Sequence, residues 1–222
     1  MSAYTTVSVY GSRAEELDAS SVRHSVPKTH LITTLDGELI DLAKLRKDCE
    51  AMAKSSPGSD VYTKVRQYVT RYVEDFKQRK LSAISTDEAR VFTPHLVRVC
   101  ERDISNLLLA ANPLTRRISR DALTLLLGEQ PQTPLVCIFG PAGVGKSTFT
   151  GIEDLTHVAG ERSLRFEGGT ACSLKEYGEL VASARQDNPH RKIMFLGFIA
   201  RPDVAAERVV HRMLNAEKLI DH

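Results

Sequence analysis

The 222-residue sequence lacks a charge excess, closely spaced cysteines and long apolar runs. Its 30 basic and 28 acidic residues leave a formal net charge of +2, which gives no electrostatic argument for binding nucleic acid or a membrane surface. The four cysteines show neither a zinc-ligand spacing nor a disulfide framework, so reduced thiols are expected. The longest apolar stretches, such as residues 193–200, are too short to span a bilayer. Because the N-terminus also lacks the charged-then-apolar pattern of a signal peptide, we expect a cytoplasmic protein.

Composition and apolar spacing divide the chain into three regions. Residues 1–37 are rich in Ser, Thr and His and predict a loosely ordered arm that admits a hairpin at Asp36-Gly37. Residues 38–130 show mostly helical spacing, and residues 131–222 alternate apolar strands with amphipathic helices. Strand–helix alternation is typical of an α/β layer, so a helical region is expected to precede an α/β domain.

The helical spacing predicts several helices within residues 38–130. The first helix is predicted to start near Glu38, and the second to span residues 61–76. A third is predicted to run from Thr93 to Asn112-Pro113, where the proline ends it, and a fourth to cover residues 119–127.

The second half is predicted to contain buried parallel strands. Residues 135–139 form a continuous apolar run that ends in glycine, as expected for a strand covered on both faces. Further strands are predicted at residues 164–166 and 192–199, and helices at residues 146–157, 173–185 and 204–219.

The strand at residues 135–139 leads into Gly140-Pro-Ala-Gly-Val-Gly-Lys146-Ser147, which satisfies the P-loop pattern GxxxxGK[ST] between a strand and a helix. Glycines let the backbone approach a ligand closely, and successive N–H groups then form a nest for phosphate oxygens. Lys146 is expected to reach the β- and γ-phosphates, and the Ser147 hydroxyl to ligate Mg²⁺. The predicted fold class is therefore α/β, a P-loop NTPase-type parallel sheet with flanking helices, preceded by a mostly helical region. The residues predicted to bind the nucleotide are Gly140, Pro141, Ala142, Gly143, Val144, Gly145, Lys146, Ser147 and Thr148.

The P-loop predicts nucleotide binding and no particular reaction, and other motifs narrow the choice. No Asn-Lys-x-Asp motif is present to read guanine, which favours ATP over GTP. No apolar run ends in a pair of acids, which argues against an AAA- or helicase-like NTPase. Arg208 and Arg212 share one face of a predicted helix that follows an apolar strand. Their planar guanidinium groups suit charge neutralisation on a transferring phosphoryl group.

Beyond the loop, residues 164–170 (Leu-Arg-Phe-Glu-Gly-Gly-Thr) and residues 192–213 resemble the zeta-toxin family of P-loop kinases. The resemblance implies a phosphotransferase that uses ATP and Mg²⁺ and acts on a hydroxyl of a small molecule, which is UDP-N-acetylglucosamine for many members. It also implies that Glu167 and Thr170 contact this acceptor. The residues expected to act in catalysis are Lys146, Glu167, Arg208 and Arg212.

Departures from the family pattern keep other functions open. An extra glycine follows Glu167, and Cys172 stands near a position where an arginine is usual. Only one helix and a turn fit between Ser147 and Glu167, where the family carries a strand that ends in a catalytic Asp. The alternatives are a nucleotide-binding regulatory or interaction module with little catalysis, and an AAA- or helicase-like NTPase. The helices before the P-loop have two possible roles. They either mask the site as a regulatory module, which a protein regulator would control, or they cover one face of the sheet.

Overall fold

The computed structural model describes residues 31–79, 83–141, 163–168 and 174–208, together with Val144 and Lys146. Its first element is an antiparallel hairpin of β1 (Leu31–Thr33) and β2 (Leu39–Asp41), closed by a turn in which Gly37 has a φ of 86°. A positive φ strains residues that carry a side chain, which explains the glycine at this turn. The hairpin predicted at Asp36-Gly37 is confirmed, while residues 1–30 of the predicted arm lie outside the described residues.

Two helices follow the hairpin. α1 (Leu42–Lys54) starts at Asp41, whose carboxylate accepts hydrogen bonds from the backbone N–H groups of Ala43 and Lys44. α2 (Asp60–Arg79) comes after the break between the two helices. The helices predicted near Glu38 and at residues 61–76 are confirmed, although the first begins only after strand β2. The buried residues of α2 recur at helical spacing: Val65, Val69, Tyr72 and Val73.

α3 (Glu101–Glu129) is a single long helix that contains Pro113. The prediction that Asn112-Pro113 ends one helix, with another over residues 119–127, is wrong. A proline inside a helix removes a hydrogen bond and costs about 3 kcal/mol. That cost is outweighed because α3 buries apolar side chains before and after the proline, and Leu107, Leu114 and Ile118 are fully buried. Both α1 and α2 pack against α3.

The prediction that a helix opens at Thr93 is also wrong, because residues 83–100 form a different structure. Strand β3 (Ile84–Ser85) is followed by two short 3-10 helices at Glu88–Phe92 and Leu96–Arg98. The Tyr72 hydroxyl lies 3.0 Å from both the amide nitrogen and the carbonyl oxygen of Ser85, so it pairs both backbone groups. The end of this two-residue strand is thereby fixed to α2.

A parallel sheet of four strands organises the second half of the chain. β4 (Leu135–Phe139), β5 (Leu164–Glu167) and β6 (Ile193–Gly197) join β3 in the order β3-β5-β4-β6. α4 (Leu174–Gln186) connects β5 to β6, and residues 202–208 are helical. The chain is therefore an α/β protein with a parallel sheet and flanking helices, as predicted. Most of the helices expected at residues 146–157 and 204–219 lie outside the described residues.

The main apolar core lies between α3 and one face of the sheet. Leu135 and Cys137 of β4 face this core, together with Leu164 and Phe166 of β5. The crossovers β3–α3–β4 and β5–α4–β6 run in the same direction across the sheet, so the right-handed rule places α3 and α4 on the same face. Ion pairs between the two helices agree with this placement. In the described part of the chain, no helix has the length and apolar character needed to cross a membrane.

Candidate functional site

The strand that precedes the predicted P-loop occupies the switch point of the sheet. β4 lies between β5 and β6, the strands that follow it in the described chain. The chain therefore passes to one side of β4 and then crosses to the other, which opens a crevice at the carboxyl ends of these strands. Ligands of open parallel sheets bind in such crevices. The predicted phosphate loop leaves β4 at this edge.

Gly140, the first residue of the loop, is held closely against the end of β6. Its φ of 147° lies in a region of backbone conformation that residues with a side chain rarely adopt. A Cβ added here would lie 2.5 Å from the carbonyl oxygen of Phe198 and 3.2 Å from a methyl carbon of Val144. The N–H of Phe198 donates to the carbonyl oxygen of Phe139 at 2.9 Å, which holds the two strand ends together. Backbone conformation and available space therefore both require glycine at position 140.

Lys146 folds back over the start of the loop. Its Nζ donates hydrogen bonds to the carbonyl oxygens of Gly140 at 2.9 Å and Pro141 at 3.0 Å. Val144, which packs near Gly140, is only 8% exposed and anchors the loop to the protein. These contacts hold a partly exposed ammonium group at the carboxyl edge of the sheet, where it can meet an anion.

Glu167 is the last residue of β5, the strand next to β4. It lies in register with Ile138 of β4 and with Ser85 of β3, and the N–H of Gly168 donates to the carbonyl oxygen of Ile138 at 3.2 Å. Neighbouring strands are about 4.8 Å apart. The partly exposed carboxylate of Glu167 and the ammonium group of Lys146 are thus brought to the same edge of the sheet.

The helix predicted to carry the catalytic arginines begins shortly after β6, at the same edge of the sheet as the loop. Arg208 is exposed on its described portion, residues 202–208. Where this helix begins, Arg201 forms an ion pair with Asp203, and the hydrogen bond from Arg201 lowers the pKa of the Asp203 carboxyl. The predicted site residues that lie outside the described chain are Ala142, Gly143, Gly145, Ser147, Thr148, Thr170 and Arg212.

Gly197 contacts Phe139, the residue before the loop, and Phe198 contacts Gly140, although neither is among the predicted site residues. Gly197 pairs with Phe139, and a Cβ at Gly197 would lie 2.8 Å from the Cζ atom of Phe139. Phe198 supplies the carbonyl oxygen that packs against Gly140. A signal for Gly197 is present in the sequence, because an isolated glycine inside an apolar strand marks a close approach of other atoms. No comparable pattern marks Phe198.

A second concave region lies between α1, α3 and α4. It is a cavity of about 490 Å³ whose lining includes Arg116, Arg117 and Arg120. Each of these arginines pairs with a carboxylate of the same lining, at distances between 2.5 and 2.8 Å. Their charges are thereby compensated, so the cavity offers no charge excess that would select an anion. The loop at the end of β4 remains the candidate site.

The arrangement at the carboxyl edge suits a chain of phosphates, because a glycine loop can present backbone N–H groups to oxygens next to the Lys146 ammonium group. Among the described residues, no group of three or more His, Cys, Asp or Glu side chains could hold a metal ion. No protein-family model matches the chain, and no curated protein matches it.

Proposed function

We propose that this protein is a P-loop phosphotransferase that uses ATP and Mg²⁺ and acts on a hydroxyl group of a small molecule. The observation that carries the proposal is the position of Gly140 and Lys146 at the carboxyl end of the switch-point strand β4. A zeta-toxin-like kinase fits this position, with a nucleotide sugar such as UDP-N-acetylglucosamine as the acceptor.

Phosphate binding is supported by the contacts that Lys146 makes. Its ammonium group is hydrogen-bonded to two neutral carbonyl oxygens of the loop. Phosphate oxygens carry negative charge, so they attract an ammonium group more strongly than neutral carbonyl oxygens do. The β- and γ-phosphates of ATP would therefore displace these carbonyl groups from Lys146, and the loop backbone would provide further N–H donors.

The transfer step needs charge neutralisation and an oriented acceptor. Lys146, Arg208 and Arg212 would neutralise charge on the transferring phosphoryl group. Glu167, at the end of the neighbouring strand, would orient the acceptor hydroxyl with Thr170 and accept its proton. The hydroxyl oxygen would then bond to the γ-phosphorus of ATP as the bond to the bridging oxygen breaks and ADP leaves. Ser147 would hold Mg²⁺, which supplies positive charge to the phosphates when it is bound.

The proposal is tested by incubating the purified protein with ATP, Mg²⁺ and either UDP-N-acetylglucosamine or a pooled metabolite extract. New phosphorylated species are detected by mass spectrometry. We expect a product with the wild type and a rate about 10²–10³-fold lower for Lys146→Ala, which lacks a group that stabilises the developing charge. Glu167→Gln keeps the size of the side chain and should retain ATP binding while losing most of the transfer. ATP binding by the wild type without any product would contradict a transferase.

A nucleotide-binding interaction module is the second candidate. The short segment between Ser147 and Glu167 favours it, because no strand ending in an Asp fits there. This candidate predicts ATP binding that depends on Lys146 but gives no phosphorylated product. An AAA- or helicase-like NTPase has less support, since β5 ends in Glu167 and glycine follows it, where such enzymes have a pair of acids.

A further inference from the structure

Phe139 is the last residue of β4 and directly precedes Gly140. Its ring lies across the sheet on β6, where Gly197 is its register partner. The ring fits there only because Gly197 has no side chain, since a Cβ would lie 2.8 Å from Cζ and 2.9 Å from Cε2 of Phe139. A real Cβ atom essentially never comes this close to another carbon atom, so the ring position requires glycine at 197.

Tyr177 of α4 holds the Phe139 ring from the helix layer. The two ring centroids are 5.7 Å apart and the ring planes cross at 60°. Tyr177 also contacts Phe195 of β6, with the centroids 6.0 Å apart. Tilted aromatic pairs at these separations attract each other. The Phe139 ring therefore contacts both strand β6 and helix α4.

The backbone that enters the loop depends on the same strand ends. The carbonyl oxygen of Phe139 accepts the hydrogen bond from Phe198, and the carbonyl oxygen of Phe198 in turn packs against Gly140. The ring and the carbonyl group of Phe139 thus both contact the end of β6. We therefore expect a displaced ring to shift the pairing of β4 with β6 at this point, and with it the direction in which the chain leaves β4.

We infer that Phe139 is a positioning residue for the phosphate loop, and that Gly197 and Tyr177 hold its ring in place. The inference rests on the proposed nucleotide binding by this loop. Several N–H groups of the loop must meet phosphate oxygens at once, so a small shift of the strand end affects all of them together. Loss of one hydrogen bond to a charged group lowers affinity about tenfold or more.

The test uses the full-length chain and measures the Kd for Mg-ATP by isothermal titration calorimetry. Gly197→Ala places a methyl group against the Phe139 ring and is expected to weaken binding about tenfold or more, the effect of one lost hydrogen bond to a phosphate. Phe139→Leu removes the ring and is also expected to weaken binding. Leucine leaves room for the methyl group, so Gly197→Ala should add less than about twofold when Phe139→Leu is already present.

Phe195→Leu is the matched control. Phe195 is 48% exposed, compared with 39% for Phe139, and both rings contact Tyr177. Phe195→Leu should lower the melting temperature about as much as Phe139→Leu, but should leave the Kd within about twofold of the wild type. Melting temperatures of all variants ensure that each titration is made on folded protein.

The outcomes separate this inference from the proposed function. Wild-type affinity in Phe139→Leu would overturn the inference while ATP binding stands, and this holds even if Gly197→Ala does not fold. Full additivity of the two substitutions would overturn it as well, because the methyl group would then act without displacing the ring. Failure of the wild type to bind ATP would remove both the proposed function and the inference.

Discussion

The side chain of Arg191 donates hydrogen bonds to carbonyl groups at the ends of two helices. It is 3% exposed, and its guanidinium group donates to the carbonyl oxygens of Ala184 and Leu127 at 2.9 Å, of Gln130 at 3.0 Å and of Thr133 at 2.6 Å. These acceptors lie at or beyond the ends of α3 and α4, where a helix leaves carbonyl groups without partners. Burial lowers the pKa of the Arg191 guanidinium group, which stays ionised because its usual pKa is far above neutral pH.

Arg191→Lys should lower the free energy of unfolding by about 2–4 kcal/mol, measured by urea denaturation. Lysine keeps the charge but has one nitrogen, which cannot reach all four carbonyl groups. Arg185→Lys is the control, because Arg185 is exposed near the end of α4 and should change stability by less than about 0.5 kcal/mol. Equal stability of the two variants would contradict the capping role of Arg191.

Cys49 should make stability depend on pH in the alkaline range. It is 1% exposed on α1, and burial raises the pKa of its thiol from 9.0 to about 11, with a smaller contribution from the charge of Asp48. The folded state therefore binds this proton more tightly than the unfolded state. The resulting stabilisation is complete below pH 9.0 and is lost as the pH rises through about 11.

The measurement for Cys49 is the free energy of unfolding as a function of pH, in the wild type and in Cys49→Ala. Between these two pKa values the wild type should lose stability more steeply than the variant, because only the wild type carries this thiol. Cys100→Ala provides a control at a partly exposed thiol. Parallel curves for the wild type and Cys49→Ala would show that the thiol titrates alike in both states.

At the scale of the elements, Pro113→Ala should stabilise α3. Alanine restores the N–H group that proline lacks, and it relieves the clash that a proline ring in a helix makes with the carbonyl group four residues earlier, which is that of Leu109 here. Part of this gain, about 0.4–1 kcal/mol, is lost because the unfolded chain has a higher conformational entropy without the proline. We expect the free energy of unfolding to rise by about 1–2 kcal/mol. Asn112→Ala is the neighbouring control. A decrease for Pro113→Ala would mean that the packing of α3 requires the proline.

Elements with local signals could be predicted from the sequence. β4 is an apolar run that ends in glycine, and the first hairpin turns at Asp36-Gly37. The single helix α3 could not be predicted, because Asn112-Pro113 is a local stop signal. The packing that overrides this signal comes from residues far away in the sequence.

Non-local contacts also explain the other features that the sequence did not predict. β3 is fixed by the Tyr72 hydroxyl, and Arg191 pairs with carbonyl groups from distant segments of the chain. At the candidate site, the motif identifies Gly140 and Lys146, but it contains no information about the Phe198 carbonyl group that packs against the loop.

At the scale of the whole molecule, the apolar core runs across residue 130, where the composition of the sequence changes. α3 and β4 contribute fully buried residues to one core, and β3 from the first half joins the parallel sheet. Removal of the first half would expose this face of the sheet to water. The helices therefore cover the sheet, and control of the site by a protein regulator stays a hypothesis.

Calorimetric titration of the full-length chain with Mg-ATP decides whether the loop binds phosphates. The wild type should bind ATP saturably, and Lys146→Ala should bind about 10- to 100-fold more weakly, since it loses a charge-assisted hydrogen bond. Lys77→Ala is the control, because Lys77 pairs with Glu129 at 2.7 Å in a surface ion pair and should leave the Kd unchanged. No binding by the wild type, or equal binding by Lys146→Ala, would contradict a phosphate-binding loop at the end of β4.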